Sequence, residues 1–154
     1  MFHIVLVEPE IPQNTGNIAR TCAVTGAKLH LVRPLGFSLD DRQLKRAGLD
    51  YWNELDVSYY DSFAEVEQLH PDARFFLLST HARRCYADAQ YRDGDFLVFG
   101  KETAGLGSQL LARRSEDAVR IPMREGLRSL NLSNSVSLVL YEALRQNGFL
   151  GLIV

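Results

Sequence analysis

The sequence has few of the residues that build disulfide scaffolds and metal sites. It contains two cysteines, Cys22 and Cys85, in 154 residues, and its four histidines are scattered along the chain. The two cysteines do not form a CxxC pair, so a disulfide framework is excluded and both thiols are expected to be free in a reducing compartment. Scattered histidines also disfavour a dedicated metal site, and we expect no metal cofactor.

Long apolar runs and an excess of positive charge are also missing. No run approaches the roughly 18 apolar residues of a membrane span, and the N-terminus reaches Glu8 and Pro9 too soon for a signal peptide. We therefore expect a cytoplasmic protein without a membrane partner. The net charge of −2 does not indicate a nucleic-acid binder, so such a role must depend on local basic patches. The length and the 46% hydrophobic content predict one folded domain over residues 1–154.

Short apolar runs alternate with helical patterns along the chain. Strands are predicted for the apolar runs, over residues 3–8, 28–33, 57–60, 74–79, 95–99 and 118–121. Helices are predicted between them, from Asn14 or Thr15 to Gly26, over 40–47, from the capping box at 62–65 to about residue 69, over 107–111 and over 131–146. This alternation indicates an α/β fold with a mostly parallel sheet flanked by helices.

Ligands of such sheets bind where loops leave the carboxyl ends of the strands. The candidate loops are therefore 9–14, 79–84, 100–107 and 122–131. The third is rich in glycine, but it matches neither a Walker loop nor the dinucleotide fingerprint. Glu102 stands where the Walker loop needs serine or threonine, and Gly105-Leu106-Gly107 is not followed by a third glycine. This loop either serves another ligand or simply turns the chain.

The last predicted helix opens with five small polar residues within 131–137, although one capping side chain is enough. Its apolar residues recur at helical spacing and predict a buried stripe of Leu132, Val136, Leu140, Ala143 and Leu144. The surplus polar groups either form a generous cap or face a ligand such as a carboxylate, a phosphate or a nucleotide.

Three segments taken together resemble the motifs of a known family. They are NTGNIAR at 14–20, FGKETAGL at 99–106 and IPMREGLRSLNLS at 121–133. Their order and spacing are similar to motifs one, two and three of the SPOUT RNA 2′-O-ribose methyltransferases, over essentially the whole chain. Segments 9–12, 40–42, 46–51 and 141–143 narrow the resemblance to the minimal branch, the tRNA (cytidine/uridine-34-2′-O)-methyltransferases.

The resemblance implies a fold, an activity and a cofactor. The fold would be a SPOUT-type α/β domain with a C-terminal trefoil knot, assembled as a homodimer. The activity would be methylation of the ribose 2′-hydroxyl of the wobble nucleotide of tRNA, cytidine or modified uridine at position 34. S-adenosylmethionine would be the methyl donor and S-adenosylhomocysteine the product, without a metal.

The resemblance also assigns roles to residues. Arg20, Asn14 and Ser129 are the expected catalytic residues; Arg20 would bind the adjacent phosphate and stabilise the developing alkoxide, and the other two would orient Arg20 or the ribose. The expected cofactor-binding residues are Leu78, Ser79, Gly100, Glu102, Gly105, Ile121, Met123, Ser129, Leu130, Asn131 and Ser133. Lys101 departs from the small residue or proline that many relatives carry, which puts the local chemistry of this loop in question.

RNA contacts are predicted from basic and aromatic residues. Arg42, Lys45 and Arg46 share one helix face, which is either a phosphate-binding track or an ordinary solvated face. His30 and either Tyr51 or Trp52 are predicted to stack on unpaired bases, with strand and core positions as the alternatives. Tyr141 is a further predicted RNA contact, with a core or interface position as its alternative.

Three other functions compete with this interpretation. The chain would be a SPOUT enzyme acting on another tRNA position or on ribosomal RNA, or a relative that binds RNA without catalysis. A flavodoxin-like domain that binds flavin is the rival fold, but it would lack the polar start of the last helix.

Overall fold

The protein is built on a six-stranded parallel sheet. The computed structural model describes residues 1–154 except the side chains of residues 48–50, so part of the 46–51 motif lies outside the described side chains. The strands are β1 (His3–Val7), β2 (Lys28–Val32), β3 (Val57–Tyr60), β4 (Phe75–Leu78), β5 (Phe96–Phe99) and β6 (Ala118–Val119). Their order across the sheet is β3-β2-β1-β5-β4-β6, and every neighbouring pair is parallel. The predicted α/β class and its six strands are confirmed.

Helices cover both faces of the sheet. They are α1 (Pro12–Thr25), α2 (Arg42–Gly48), α3 (Phe63–Leu69), α4 (Ser108–Arg113) and α5 (Leu132–Gln146). Three short 3₁₀ helices, Leu49–Glu54, Tyr86–Asp88 and Ser115–Asp117, were not predicted. Such short turns carry no periodic apolar pattern that a sequence could reveal.

Successive residues of β1 enter two different cores. Ile4 and Leu6 pack into the larger core, which α1 and α5 complete. Val5, between them, packs into the smaller core, which α3 completes. Because both faces of the sheet are buried, the strands read as continuous apolar runs rather than as alternating ones.

Helix α1 begins earlier than the sequence indicated. Its N-cap is Ile11 and its first residue is Pro12, whose missing N–H needs no partner in the first turn. Asn14 and Thr15 lie inside the helix and are buried, so the predicted cap at either residue is wrong. The predicted end is confirmed, because Gly26 adopts the left-handed conformation at φ 73°.

Helix α5 has the predicted cap and the predicted buried stripe. The Asn131 side chain accepts a hydrogen bond from the Asn134 N–H at 3.2 Å. All five predicted apolar residues are buried, and Val139 joins them. The hydroxyls of Ser135 and Ser137 bond to backbone carbonyls of the helix itself, which accounts for part of the surplus of polar groups.

The far end of α5 is bonded to the segment that follows β4. Gln146 Nε2 donates to the Ala89 carbonyl at 2.9 Å, and the Tyr91 N–H donates to Gln146 Oε1 at 2.9 Å. Asn147 Nδ2 donates to the Tyr91 carbonyl at 3.1 Å. This segment therefore holds the end of the last helix by three hydrogen bonds.

Candidate active site

The four loops predicted from the sequence surround one cavity at the carboxyl edge of the sheet. Its volume is about 760 Å³. Every predicted cofactor-binding residue except Ser133 lines it, and so does Asn14. These lining residues are Asn14, Leu78, Ser79, Gly100, Glu102, Gly105, Ile121, Met123, Ser129, Leu130 and Asn131.

The same cavity is also lined by residues that were not singled out as cofactor-binding. They lie in or beside the same loops, and they are Ile11, Thr80, His81, Phe99, Lys101, Thr103, Ala104, Leu106, Arg128, Leu132 and Ser135. Most of them lie inside the motif segments 99–106 and 121–133, and that position was the available signal. Lys101 and Arg128 give the rim of the cavity two cationic side chains.

The glycine-rich loop folds tightly back on itself. A Cβ added to Gly100 would collide with the backbone of Gly105 and Leu106. The Gly105 N–H donates to the Lys101 carbonyl at 2.8 Å, and Gly105 itself has a φ of +65°. Glycine is therefore required at 100 for space, and it relieves a strained conformation at 105.

Glu102 joins this loop to the segment that precedes α1. One carboxylate oxygen accepts the Glu10 N–H at 2.8 Å, and the other accepts the Ile11 N–H at 3.0 Å. Asn14 Nδ2 lies 3.4 Å from the second oxygen. A single carboxylate thus satisfies backbone N–H groups at the start of α1, and no side chain of the N-cap does so.

Glu10 makes the reverse connection. Its Oε1 accepts hydrogen bonds from the Thr103 N–H at 3.0 Å and from the Thr103 hydroxyl at 2.7 Å. These two hydrogen bonds hold the pKa of the Glu10 carboxyl below its usual value. The two glutamates therefore fasten the loops to each other in both directions.

The third motif joins the network through Asn131. Its Nδ2 donates to Asn14 Oδ1 at 3.0 Å, while its Oδ1 accepts from the Ser133 hydroxyl at 2.6 Å. The Ser133 hydroxyl thus bonds to a residue of the cavity wall without lining the cavity itself, and its contact with a cofactor stays a prediction. One hydrogen-bonded chain runs from motif three through Asn14 to Glu102.

Arg20 stands apart from the cavity of its own chain. It is exposed on α1, and it is absent from the residues that line the cavity. Its guanidinium carbon lies 5.0 Å from the centre of the Tyr51 ring. The structure therefore brings Asn14 and Ser129 together at the cavity but not the third predicted catalytic residue.

The predicted RNA contacts have different outcomes. Arg42, Lys45 and Arg46 are exposed on α2, and Tyr141 is 44% exposed on α5. His30 is 3% exposed in the middle of β2, so the prediction that it stacks on a base is wrong.

His30 belongs to a hydrogen-bonded cluster inside the protein. Its Nε2 lies 2.8 Å from His3 Nδ1, and its Nδ1 lies 2.9 Å from the Tyr60 hydroxyl. Burial lowers the pKa of His30 to about 3, which keeps its ring neutral. The side chain therefore serves the packing of the sheet.

Both thiols are free, and Cys22 is fully buried on α1. Burial raises the pKa of the Cys22 thiol to about 12, which makes it an unreactive packing residue. Among the side chains that the structure describes, no group of three or more histidine, cysteine or acidic residues has the geometry of a metal site. None of the helices in the described chain is long and apolar enough to cross a membrane.

The chain is similar to known proteins over most of its length. The sequence profile of the SpoU rRNA Methylase family matches residues 1–141. A Burkholderia pseudomallei protein named tRNA (cytidine(34)-2′-O)-methyltransferase is 51% identical over 155 residues, which cover 98% of this chain and 99% of that protein.

Solved structures share the fold. One solved structure is described as "Structural insights into the 2-OH methylation of C/U34 on tRNA". Its sequence is 49% identical to this chain, and the two superpose with a TM-score of 0.90 over 96% of this chain and 97% of that chain. The SpoU methyltransferase AviRb from Streptomyces viridochromogenes, solved in complex with the cofactor AdoMet, is 25% identical. Its TM-score is 0.84 over 94% of this chain and 57% of that chain.

Proposed function

This chain belongs to the SpoU rRNA Methylase family, and on that premise we propose that it methylates the ribose 2′-hydroxyl of the wobble nucleotide of tRNA. S-adenosylmethionine is the methyl donor, and the accepted nucleotide is cytidine or modified uridine at position 34. The resemblance to SPOUT methyltransferases is confirmed. The observation that carries the proposal is the convergence of three separate motifs on one cavity, in a chain about half identical to a named tRNA (cytidine(34)-2′-O)-methyltransferase.

The cavity fits S-adenosylmethionine in size and chemistry. Apolar side chains such as Leu78 and Ile121 suit the adenine ring, and the hydroxyls and amides of motif three suit the ribose and the amino-acid part. The bare backbone at Gly100 allows a ligand to approach more closely than a side chain would permit. The bound cofactor supplies a methyl group on a sulfonium, and the residues of the chain position the acceptor.

Arg20 provides the charge that the reaction requires. A guanidinium stays protonated and has no acceptor lone pair, so it acts as an electrostatic stabiliser rather than as a general base. In our proposal it binds the phosphate beside the target ribose and stabilises the oxyanion that develops on the 2′-oxygen. Asn14 and Ser129, on the cavity wall, orient the ribose.

We further propose that the active site is shared between two copies of the chain. Arg20 is absent from the lining of its own cavity, so a second protomer must bring it there for it to act. The contact surface is formed by exposed apolar side chains on α1 and α5. They are Val24 of α1 and Leu138 and Tyr141 of α5. In this arrangement Tyr141 belongs to the interface between subunits, and it borders the bound RNA.

The trefoil knot and the route of the RNA complete the proposal. In the proposal the C-terminal half forms the trefoil knot that the family resemblance implies, with the end of α5 bonded to residues 89–91. Arg42, Lys45 and Arg46 on α2 bind phosphates of the anticodon stem-loop without reading its sequence. Residues 1–154 act as one domain in the cytoplasm, where tRNA is found.

The proposal is tested by transfer of a labelled methyl group. The protein is incubated with labelled S-adenosylmethionine and either bulk tRNA or ribosomal RNA, with and without a chelator. We expect label in tRNA only, unaffected by the chelator. Label in ribosomal RNA alone favours the competing SPOUT function, and a protein that binds RNA but transfers no label is a non-catalytic relative.

The shared site is tested separately with Leu138→Glu, which places a charge on the proposed apolar interface. Sedimentation should show a monomer that still binds S-adenosylmethionine but has lost methyl transfer. An active monomer at the same concentration contradicts the shared site. Exposed Leu69, at the end of α3, is the matched control, and Leu69→Glu should leave assembly and activity unchanged.

A further inference from the structure

The side chain of Arg20 is placed by one aromatic ring. Arginine is long and loses much side-chain entropy when it is fixed, and Arg20 lies on the exposed side of α1. Its guanidinium carbon nevertheless lies 5.0 Å from the centre of the Tyr51 ring, within the range of a cation–π contact. This contact restricts the directions that the guanidinium takes.

Tyr51 is itself anchored to the body of the protein. It lies in the 3₁₀ helix Leu49–Glu54, which packs beside α1. The next residue, Trp52, packs against the larger core, and its carbonyl accepts the Leu55 N–H at 3.2 Å. Tyr51 is half-buried and stands on a turn that Trp52 fixes to the core, so its ring provides a platform beside α1.

The platform follows directly on the basic helix α2. Arg42, Lys45 and Arg46 precede Tyr51 in the same stretch of chain, and α2 also packs against α1. The proposed phosphate contacts and the ring under Arg20 therefore belong to one continuous segment. RNA that binds this face binds next to the residue that fixes Arg20.

We propose that Tyr51 is a positioning residue for Arg20, which it holds through the face of its ring. The inference rests on the proposed function, because it takes Arg20 as the residue that stabilises the reacting oxygen. Tyr51 contacts neither substrate nor cofactor in this account. The ring face supplies the attraction, so the hydroxyl of Tyr51 is dispensable.

Two variants separate the ring from its hydroxyl. Tyr51→Phe keeps an aromatic face, whereas Tyr51→Leu keeps an apolar side chain without one. Arg33→Leu is the matched control, because it removes the cation from a similar pair in which Arg33 lies 5.3 Å from the centre of the Tyr59 ring, and it leaves the rings in place. Each variant is measured for kcat, for KM with S-adenosylmethionine and with tRNA, and for Tm.

We expect Tyr51→Leu to lower kcat roughly 2- to 5-fold, with KM for S-adenosylmethionine unchanged, because a cation–π contact at an exposed site contributes about that factor. Tyr51→Phe should keep the native kcat, and so should Arg33→Leu. A native kcat in Tyr51→Leu overturns the inference. An equal loss in Tyr51→Phe also overturns it, because the hydroxyl would then be the essential group.

A second readout does not depend on turnover. In the NMR spectrum, the Nε–H signal of Arg20, assigned from the Arg20→Lys variant, should carry a ring-current shift that Tyr51→Phe keeps and Tyr51→Leu abolishes. A signal that is the same in all three proteins contradicts the contact. If the native protein methylates no RNA, the proposed function fails first and the role of Tyr51 fails with it. An active enzyme with an unaffected Tyr51→Leu variant refutes the role of Tyr51 alone.

Discussion

Replacing Glu102 with glutamine should weaken cofactor binding although the residue remains almost the same shape. Both carboxylate oxygens accept backbone N–H groups, from Glu10 at 2.8 Å and from Ile11 at 3.0 Å. An amide keeps one acceptor oxygen and presents an NH₂ group at the other position. One backbone N–H would then face a second donor, and the loop that forms one wall of the cavity would lose one of its two connections to the segment before α1.

The magnitude follows from the kind of bond that is lost. A hydrogen bond to a charged group contributes roughly 1.5–3 kcal/mol, and water at this partly exposed site favours the lower end of that range. A free-energy loss near the lower end corresponds to about a tenfold change in an equilibrium constant. We therefore expect S-adenosylmethionine to bind Glu102→Gln about tenfold more weakly than it binds the native protein.

Titration calorimetry measures this change directly. Asp72→Asn removes a carboxylate of equal charge from an exposed position between α3 and β4, and it serves as the control. Its Kd for S-adenosylmethionine should match that of the native protein. The reasoning is refuted if Glu102→Gln binds within twofold of the native Kd, or if Asp72→Asn loses as much affinity.

Three further predictions concern catalysis, the loop backbone and pH. Arg20→Ala should abolish methyl transfer, while its Kd for S-adenosylmethionine stays within a few-fold of the native value. Arg20→Lys should not restore activity, because an ammonium cannot form a bidentate phosphate contact. Native turnover in the lysine variant would contradict this reasoning. Gly100→Ala should remove cofactor binding, measured by calorimetry, because its Cβ meets the backbone of Gly105; native affinity would contradict the collision.

The pKa of His30 is held at about 3 in the fold, whereas in the unfolded chain it is near 6.5, so the unfolded chain takes up a proton first as the pH falls. The free energy of unfolding should then decrease below about pH 6.5, by about 3 kcal/mol from this residue at pH 4. Urea titrations across this range should show a shallower pH dependence for His30→Gln, and an unchanged one contradicts the assignment.

Much of the fold could be read from the sequence because its signals are local. Continuous apolar runs indicate strands that are buried on both faces, and Gly26 and Asn131 mark helix ends by their own conformational and capping preferences. The start of α1 was misjudged because the helix has no side-chain cap; Glu102, distant in sequence, accepts the N–H groups of Glu10 and Ile11 just before its first residue.

The candidate site could likewise be predicted in part from the sequence. Its loops were predictable because ligands bind at the carboxyl ends of parallel strands, and its individual residues came from the motif resemblance. The pairing of Glu10 with Thr103 and the stacking of Arg20 on Tyr51 depend on contacts between distant segments, which no local pattern contains. His30 was misassigned because a polar residue inside a strand gives no sign of which partners it meets in the core.

The central claim is that the chain methylates one oxygen of one nucleotide. The most direct measurement compares two tRNA substrates that differ only at position 34, one with a ribose and one with a 2′-deoxyribose. After incubation with S-adenosylmethionine, nuclease digestion and mass spectrometry locate any added methyl group. The account predicts a 2′-O-methyl nucleotide at position 34 of the ribose substrate and no methylation of the deoxy substrate. Equal methylation of both substrates, or a methyl group at any other position, would contradict it.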